Sequence, residues 1–433
     1  MDPVAIGAIT IAAMFALLLA GVPIGFAMAL AGVGGGAFII GIEPMLALLG
    51  RTAFETAMTY DLSIIPLFVL MGYFAAATGL SQELYRACNV WLGHRRGGLA
   101  LATIGGCGAF AAICGSSLAT AATMTQIAMP EMRRYGYDDR LATGAIAAGG
   151  TIGILIPPSV ILALYGILTE SNIGDLFLAG VLPGLLTVLV FMATISVLTR
   201  IRPELGPRGQ KTSPLAKLLA FKDVWGMAVL FVVVIGGIYM GVFTPTEAAA
   251  IGAVGALSLA VLRRRMSLAL LVRCLRDTVK TTAILFTILI GAILLNNFLI
   301  LSNVAALVAD WVGGLALPPM AVMAVILAIY LVLGCALDAL AMILLTVPIF
   351  FPIVLGLGFD PIWFGIIVVM VVELGLITPP VGMNMFVIKG IVPDVDLRTI
   401  YAGVLPFCAA QIVLIAILVA FPKIATFLPD TAG

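Results

Sequence analysis

Two adjacent prolines occur twice inside long apolar runs, each pair led by a glycine four residues before it: Gly153-Ile154-Leu155-Ile156-Pro157-Pro158 and Gly375-Leu376-Ile377-Thr378-Pro379-Pro380. Each pair removes two amide donors, and a proline turns the residue before it away from helix. The glycines permit close approach or unusual torsions. A helical span through either stretch is therefore expected to break into two half-helices and to free carbonyl oxygens. Such oxygens beside hydroxyls are hard ligands that suit Na+, and half-helix N-termini suit an anionic substrate group. Hydroxyls are at hand in Ser116, Ser117, Thr120, Thr151 and Ser159 around the first stretch and in Thr378 in the second.

A single Pro-Pro pair reads as a kink, and its Ser and Thr neighbours as helix packing. Here the pattern is doubled. Pro130, Gly136, Gly153 and Pro157 return as Pro352, Gly358, Gly375 and Pro379, each 222 positions later, and 179–183 (Ala-Gly-Val-Leu-Pro) returns as 402–406 at an offset of 223. The chain thus reads as two copies of one unit, and the matched breaks point to paired ion sites. Asp338 stands 41 positions before Pro379, the slot that Ser116 holds before Pro157.

The elements that must position these residues are membrane helices. Of 433 residues, 63% are hydrophobic and 10% charged, and about 20 apolar residues cross a bilayer. Candidate spans are 4–20, 22–41, 62–79, 141–165, 175–198, 224–241, 244–262, 281–300, 362–388 and 399–421. Regions 97–130 and 317–357 are longer and interrupted by small residues and prolines. The first run lacks a basic flank and cleavage site, so it reads as a span and not as a signal peptide. A piece with Glu43, Arg51 and Glu55 is expected to lie along the interface. Six cysteines without a CxxC pair and the single His94 read as packing and loop residues, not as disulfides or metal ligands. Nothing resembles a nucleophile with its base, a phosphate loop or a nucleic-acid surface.

Basic residues gather in four loops, around 86–96, 133–140, 200–222 and 263–280, and the positive-inside rule places all four in the cytoplasm. Two of them flank 97–130, which must then cross an even number of times. It is short for two spans and a turn, so a re-entrant hairpin is expected, two full spans being the alternative. Span 281–300 then leads outside, 301–316 carries only Asp310 as a charge, and 317–357 starts and ends outside. Three arginines in 131–140 against no Lys or Arg in 353–362 is the asymmetry of an inverted repeat. The expected fold is an all-α polytopic membrane protein of two inverted repeats, 1–200 and 224–433, joined by a cytoplasmic linker at 201–223. Each repeat holds a re-entrant hairpin (about 97–130 and 317–357) and a broken transmembrane helix (about 141–165 and 362–388), and both termini lie outside.

Carboxylates inside apolar runs are costly and usually functional. Asp338 reads either as an ion- or proton-coupling group or as an interfacial carboxylate at a hairpin mouth. Glu373 reads either as a coupling group or as a structural partner of a basic side chain or freed amides. Glu247, after Thr244 and Pro245, has the look of a helix start. Glycines at 32 and 34–36 are expected to let helices approach closely.

At these residues the chain resembles the DctM family, the large membrane subunit of tripartite ATP-independent periplasmic (TRAP) transporters. The matching stretches are Gly115-Ser116-Ser117-Leu118-Ala119-Thr120-Ala121, Pro130-Glu131-Met132 with Gly136-Tyr137-Asp138, 153–159, 176–180, 243–247, and 373–382 (ELGLITPPVG) with Asn384. The resemblance implies a bacterial inner-membrane symporter of the ion-transporter superfamily that imports an organic acid, a C4-dicarboxylate or related carboxylate, by an elevator motion. It implies Na+ as coupling ion with no other cofactor, and no enzymatic activity. A DctP-like periplasmic solute-binding protein would deliver the substrate, and a small DctQ-like membrane subunit would brace the scaffold in the lipid bilayer. Carried onto this chain, the first Na+ site would use Ser116, Ser117, Gly150 and Gly153 near Pro157. The second would use Asp338, Gly375, Thr378, Pro379 and Gly382. Several would act through backbone carbonyls, and Thr120, Ser171 and Glu373 are substrate or coupling candidates. The chain begins with the large subunit's first span, so a fused small–large form is not expected. Related dicarboxylate/Na+ symporters carry Ser-Asn-Thr at their tips, whereas this chain has Gly-Ser-Ser and Leu-Asp-Ala, which argues against a stand-alone transporter of that type; a stand-alone Na+/organic-anion symporter is the alternative function. Two rival readings fit less well: a cation/proton exchanger would show a paired-carboxylate centre, and an intramembrane enzyme would show a His-based or HExxH arrangement.

Overall fold

The computed structural model describes residues 2–432, apart from 210, 305, 306, 308–316 and 336 and the side chains of 221, 223 and 432. Asp310 lies outside the described residues. The described chain is helical almost throughout. Helices α1 (Pro3–Leu19), α2 (Ile24–Ile40), α3 (Ile42–Met58), α4 (Ile64–Ala77) and α5 (Leu80–Leu92) come first. A helical hairpin follows, α6 (Gly98–Cys114) and α7 (Ser117–Arg134), and then an interrupted helix, α8 (Asp139–Thr151) and α9 (Val160–Thr169). Helix α10 (Ile173–Ile201) leads to α11 (Pro214–Tyr239), α12 (Pro245–Leu262) and α13 (Leu268–Leu301). A second hairpin, α14 (Pro319–Gly334) and α15 (Ala339–Gly356), precedes a second interrupted helix, α16 (Pro361–Ile377) and α17 (Met383–Ile391). Helices α18 (Leu397–Ala420) and α19 (Lys423–Ala432) close the chain.

Six described helices are long and apolar enough to cross a membrane: 60–77, 173–201, 245–262, 268–301, 339–356 and 397–420. The chain is a multi-pass membrane protein. The 34-residue α13 departs from the expected span of 281–300, because Arg273, Arg276 and Lys280, read above as a basic loop, continue its helix. Ser267 caps that helix through the Leu270 amide at 3.2 Å, and no proline or glycine intervenes before Gly291, so nothing stops it at the interface. Helix α11 likewise begins at Pro214, within the stretch read as linker, with Ser213 as its cap.

Local expectations hold where they rest on caps and glycines. Thr244 and Glu247 form a reciprocal capping box at the start of α12, with N···O distances of 2.9 and 3.3 Å. Helix α3 buries only Met45, Thr52 and Thr56 and leaves the Arg51–Glu55 pair exposed. A Cβ on Gly32 would stand 2.6 Å from the Leu294 carbonyl carbon, and one on Gly291 would stand 2.2 Å from the Gly25 oxygen. Helices α2 and α13 therefore meet backbone to backbone. Glycine is required again where Gly144 of α8 meets Gly403 of α18, with 2.2 Å from a Cβ to the facing oxygen.

The core is centred on α16, whose residues 363–377 are all buried. A helix apolar on every side has no wet face and must sit innermost. Around it the two hairpins cross over to the other interrupted helix: α7 packs on α17, and α15 packs on α9. Tyr165 of α9 shows how the halves lock. Its ring lies 6.1 Å from Phe351 and 6.4 Å from Phe364, and its hydroxyl donates to the Pro361 carbonyl at 2.7 Å.

Candidate functional site

Each hairpin tip rests on the break of one interrupted helix. In the first, Gly115 takes φ +59°, a conformation that glycine adopts without cost, and turns α6 into α7. A Cβ there would lie 3.1 Å from the Pro158 carbonyl oxygen, and one on Gly153 would lie 3.0 Å from the Ser116 carbonyl oxygen. In the second, a Cβ on Gly375 would come within 2.7 Å of the Gly334 Cα, and the Gly382 amide donates to the Cys335 carbonyl at 3.3 Å. The Pro157-Pro158 and Pro379-Pro380 bonds are both cis. Glycine spacing and proline pairs thus bring tip and break into backbone contact.

Four helix N-termini converge there. Ser116 caps α7 through the Ala119 amide at 3.4 Å, Asp338 caps α15 through Ala341 at 2.9 Å, and Ser159 caps α9 through Leu162 at 3.2 Å. Gly382 leads into α17. Between the tips lies a cavity of about 380 Å³. The first tip gives it Ser116 and Ser117, the second gives Asp338 and Ala339, and the breaks give Ile154 and Leu376. Helices α4 and α13 close the opposite wall with Tyr73 and Thr281, whose oxygens lie 2.9 Å apart. Asp338 is the one carboxylate in the lining among the described residues.

The remaining expected residues fall into three groups. Gly150 lies behind the first tip, where a Cβ would be 2.8 Å from that of Ala121 and 3.2 Å from the Asn384 amide nitrogen. Asn384 is fully buried, donates to the Ala147 carbonyl at 3.2 Å, and has no described partner for its own carbonyl oxygen. Thr120 and Thr378 sit at tip and break, with hydroxyls donating to the Ser116 carbonyl at 2.8 Å and the Leu374 carbonyl at 2.6 Å. Their oxygens keep a lone pair for another partner. Ser171 stands apart. It follows the ten-residue α9, which at 1.5 Å per residue puts it about 15 Å from the break, and it accepts from the Thr169 hydroxyl at 2.9 Å.

Glu373 also departs from expectation. Its partner is neither a basic side chain nor freed amides but Gln411 of α18, whose amide donates to one carboxyl oxygen at 3.1 Å. Glu373 is fully buried in the central α16, meets α18 through Gln411, and is not among the residues that line the cavity. The breaks also leave fewer open carbonyls than the proline pairs suggest. Ser159 donates to the Ile154 carbonyl, Thr151 to Ala148, and Tyr401 to Pro380. Tyr73, Thr281, Tyr401 and Gln411 carry no sequence signal of their own. No motif or spacing marks them, and only tertiary packing gives each its partner.

A helical membrane protein in which two hairpin tips and two interrupted helices enclose a small cavity has the build of a transporter. Residues 11–424 match the family described as tripartite ATP-independent periplasmic transporter, DctM component, and the chain belongs to that family. It is 40% identical to a C4-dicarboxylate TRAP transporter large permease protein DctM of Pseudomonas aeruginosa, over 88% of each chain. It is 31% identical to the sialic acid TRAP transporter large permease protein SiaM of Vibrio cholerae, over 96% of each. Against the isethionate TRAP transporter permease protein DctMQ of Oleidesulfovibrio alaskensis, identity is 35% over 95% of this chain and 65% of that one. The fold is similar to that of the Alcanivorax borkumensis YdaH transporter, with TM-score 0.67, 13% identity, and 89% and 90% of the two chains covered.

Proposed function

We propose that this large permease subunit imports an organic acid, a C4-dicarboxylate or related anion, across the bacterial inner membrane by Na+-coupled alternating access. The carrying observation is the charge of the cavity: among the described residues its only carboxylate is Asp338, and no Lys or Arg lines it. An organic anion entering beside an unpaired carboxylate is repelled, and in a low-dielectric site that repulsion is large. Bound cations at the tips remove it. The first Na+ would sit among Ser116, Ser117, Gly150 and Gly153 near Pro157, and the second among Asp338, Gly375, Thr378, Pro379 and Gly382. The four converging helix N-termini favour the substrate's anionic group. The relatives' named substrates, C4-dicarboxylate, sialic acid and isethionate, are all organic anions.

In this reading 1–200 and 224–433 are inverted repeats joined by the 201–223 linker. The reciprocal contacts of α7 with α17 and α15 with α9 support that pairing. Hairpins and interrupted helices move as an elevator against α4 and α13. A periplasmic solute-binding protein delivers the substrate and a small DctQ-like subunit braces the scaffold. The chain is a carrier and not an enzyme.

Uptake in proteoliposomes tests this directly, with an inward Na+ gradient, labelled organic acids, and the binding protein and small subunit added or omitted. Uptake that needs Na+ and both partners is the expected result. Uptake by this chain alone would instead mean a stand-alone symporter, and cation exchange without organic-acid uptake would mean an exchanger.

A further inference from the structure

A second cavity, about 460 Å³, lies on the face that the basic loops assign to the cytoplasm. Its lining includes His94, Arg95, Arg96, Arg200, Arg208 and Lys211, and no carboxylate among the described residues. The positive-inside rule accounts for basic residues in these loops. It does not account for their gathering around one cavity.

The gathering is built by the backbone. The segment after α10 is stitched to the turn before α6: Gly97 donates to Gly206 at 3.0 Å and Gly209 to Gly93 at 3.1 Å. The Thr212 hydroxyl adds a bond to the Val90 carbonyl at 2.6 Å, and the Tyr137 hydroxyl one to Pro207 at 3.0 Å. Within this seam Arg96 and Arg208 form an antiparallel bridge, which sets two like charges directly opposite each other. Such a pair is destabilising unless something neutralises it. No ion pair among the described residues involves any of the five lining cations. The Nδ1 atom of His94 is buried and has no described partner.

We propose that this cavity is an anion site for the phosphate of an anionic phospholipid. Guanidinium groups bind phosphate oxygens in bidentate, charge-assisted pairs, and basic pockets between helices on the cytoplasmic side suit anionic head groups. The surroundings favour a lipid over a soluble phosphate. Ile201 follows the lining Arg200, and Leu215, Leu218 and Leu219 open α11 a few residues after the lining Lys211; each is more than half exposed, a surface for acyl chains. Trp91, under Lys217 at 5.8 Å from the ring centre, is placed as an interfacial anchor.

The test is a titration of the purified chain in phosphatidylcholine nanodiscs with phosphatidylglycerol, read by native mass spectrometry and by melting temperature. Phosphatidylglycerol is expected to bind at one saturable site and to raise the melting temperature, while inorganic phosphate at equal concentration does neither. Each surface cation contributes roughly fivefold in affinity, so Arg95→Gln/Arg96→Gln/Arg200→Gln should bind on the order of a hundredfold more weakly. Arg134→Gln/Arg276→Gln, with charges removed from two other basic segments, should bind like wild type. If the triple variant does not fold, Lys211→Gln alone should weaken binding about fivefold. Equal losses in both multiple variants would mean diffuse surface attraction and overturn the site. Saturation by inorganic phosphate, with no further effect of lipid, would overturn the lipid assignment, as would equal retention of phosphatidylcholine.

Discussion

Asp338 caps α15 with one oxygen at 2.9 Å from the Ala341 amide and also lines the central cavity, so one residue serves fold and site together. Asp338→Asn keeps the cap, because a side-chain oxygen still accepts, and removes the charge. It should leave melting temperature nearly unchanged and depress Na+-dependent uptake at least tenfold. Glu373 should behave oppositely. Glu373→Gln keeps a polar partner for Gln411 and should retain uptake, whereas Glu373→Leu strands the buried amide at a cost of about 1–3 kcal/mol in unfolding free energy. Loss of Na+ dependence in Glu373→Gln with a native melting curve would return this residue to the coupling machinery. At the glycines the outcome follows the space. Gly375→Ala drives a methyl to within 2.7 Å of Gly334 and should lose transport, while Gly34→Ala meets nothing within 4 Å and should stabilise α2 by about 0.5–1 kcal/mol. Thermal melting and uptake separate the two.

At the scale of elements, what was legible is what local chemistry dictates. The proline pairs with their upstream glycines marked both breaks, and Thr244-Pro245 marked the start of α12. Thr244→Ala should remove that capping box at a cost of about 1 kcal/mol, seen as a lower melting temperature. The basic residues of α13 were harder to read. Charge pattern reports the membrane boundary, whereas helix propensity and a Ser267 cap decide where the helix begins, and here the two do not coincide. Tyr73, Thr281, Tyr401 and Gln411 were illegible for another reason. A hydroxyl or amide in a mostly apolar helix looks the same whether it faces lipid, a carbonyl or a cavity, and only packing between distant helices decides.

Across the whole molecule the two halves are joined at their ends as well as through the core. Arg133, at the end of α7, pairs with Asp139 at 3.0 Å and with Asp394, beyond α17, at 2.6 Å. The Arg133 guanidinium holds the Asp394 carboxyl below its usual range. A depressed folded value means that this contribution is present above the unfolded carboxylate pKa, about 3.9, and is lost as pH falls through the lower folded one. The group is exposed, so the effect is small. The melting difference between wild type and Asp394→Asn should therefore exist at neutral pH, begin to shrink as pH falls below about 4, and vanish only once pH lies under the depressed folded value.

The Na+ coupling proposed for the hairpin tips joins all three scales, and the initial rate of organic-acid uptake against Na+ concentration measures it most directly. With both partner subunits present, wild type should show a steep, saturable dependence on Na+. Asp338→Asn and Ser116→Ala should shift the half-saturating concentration upward while the substrate panel stays the same. An unchanged Na+ curve in both variants, or uptake that ignores Na+ and follows a proton gradient, would contradict the assignment of the tips as sodium sites.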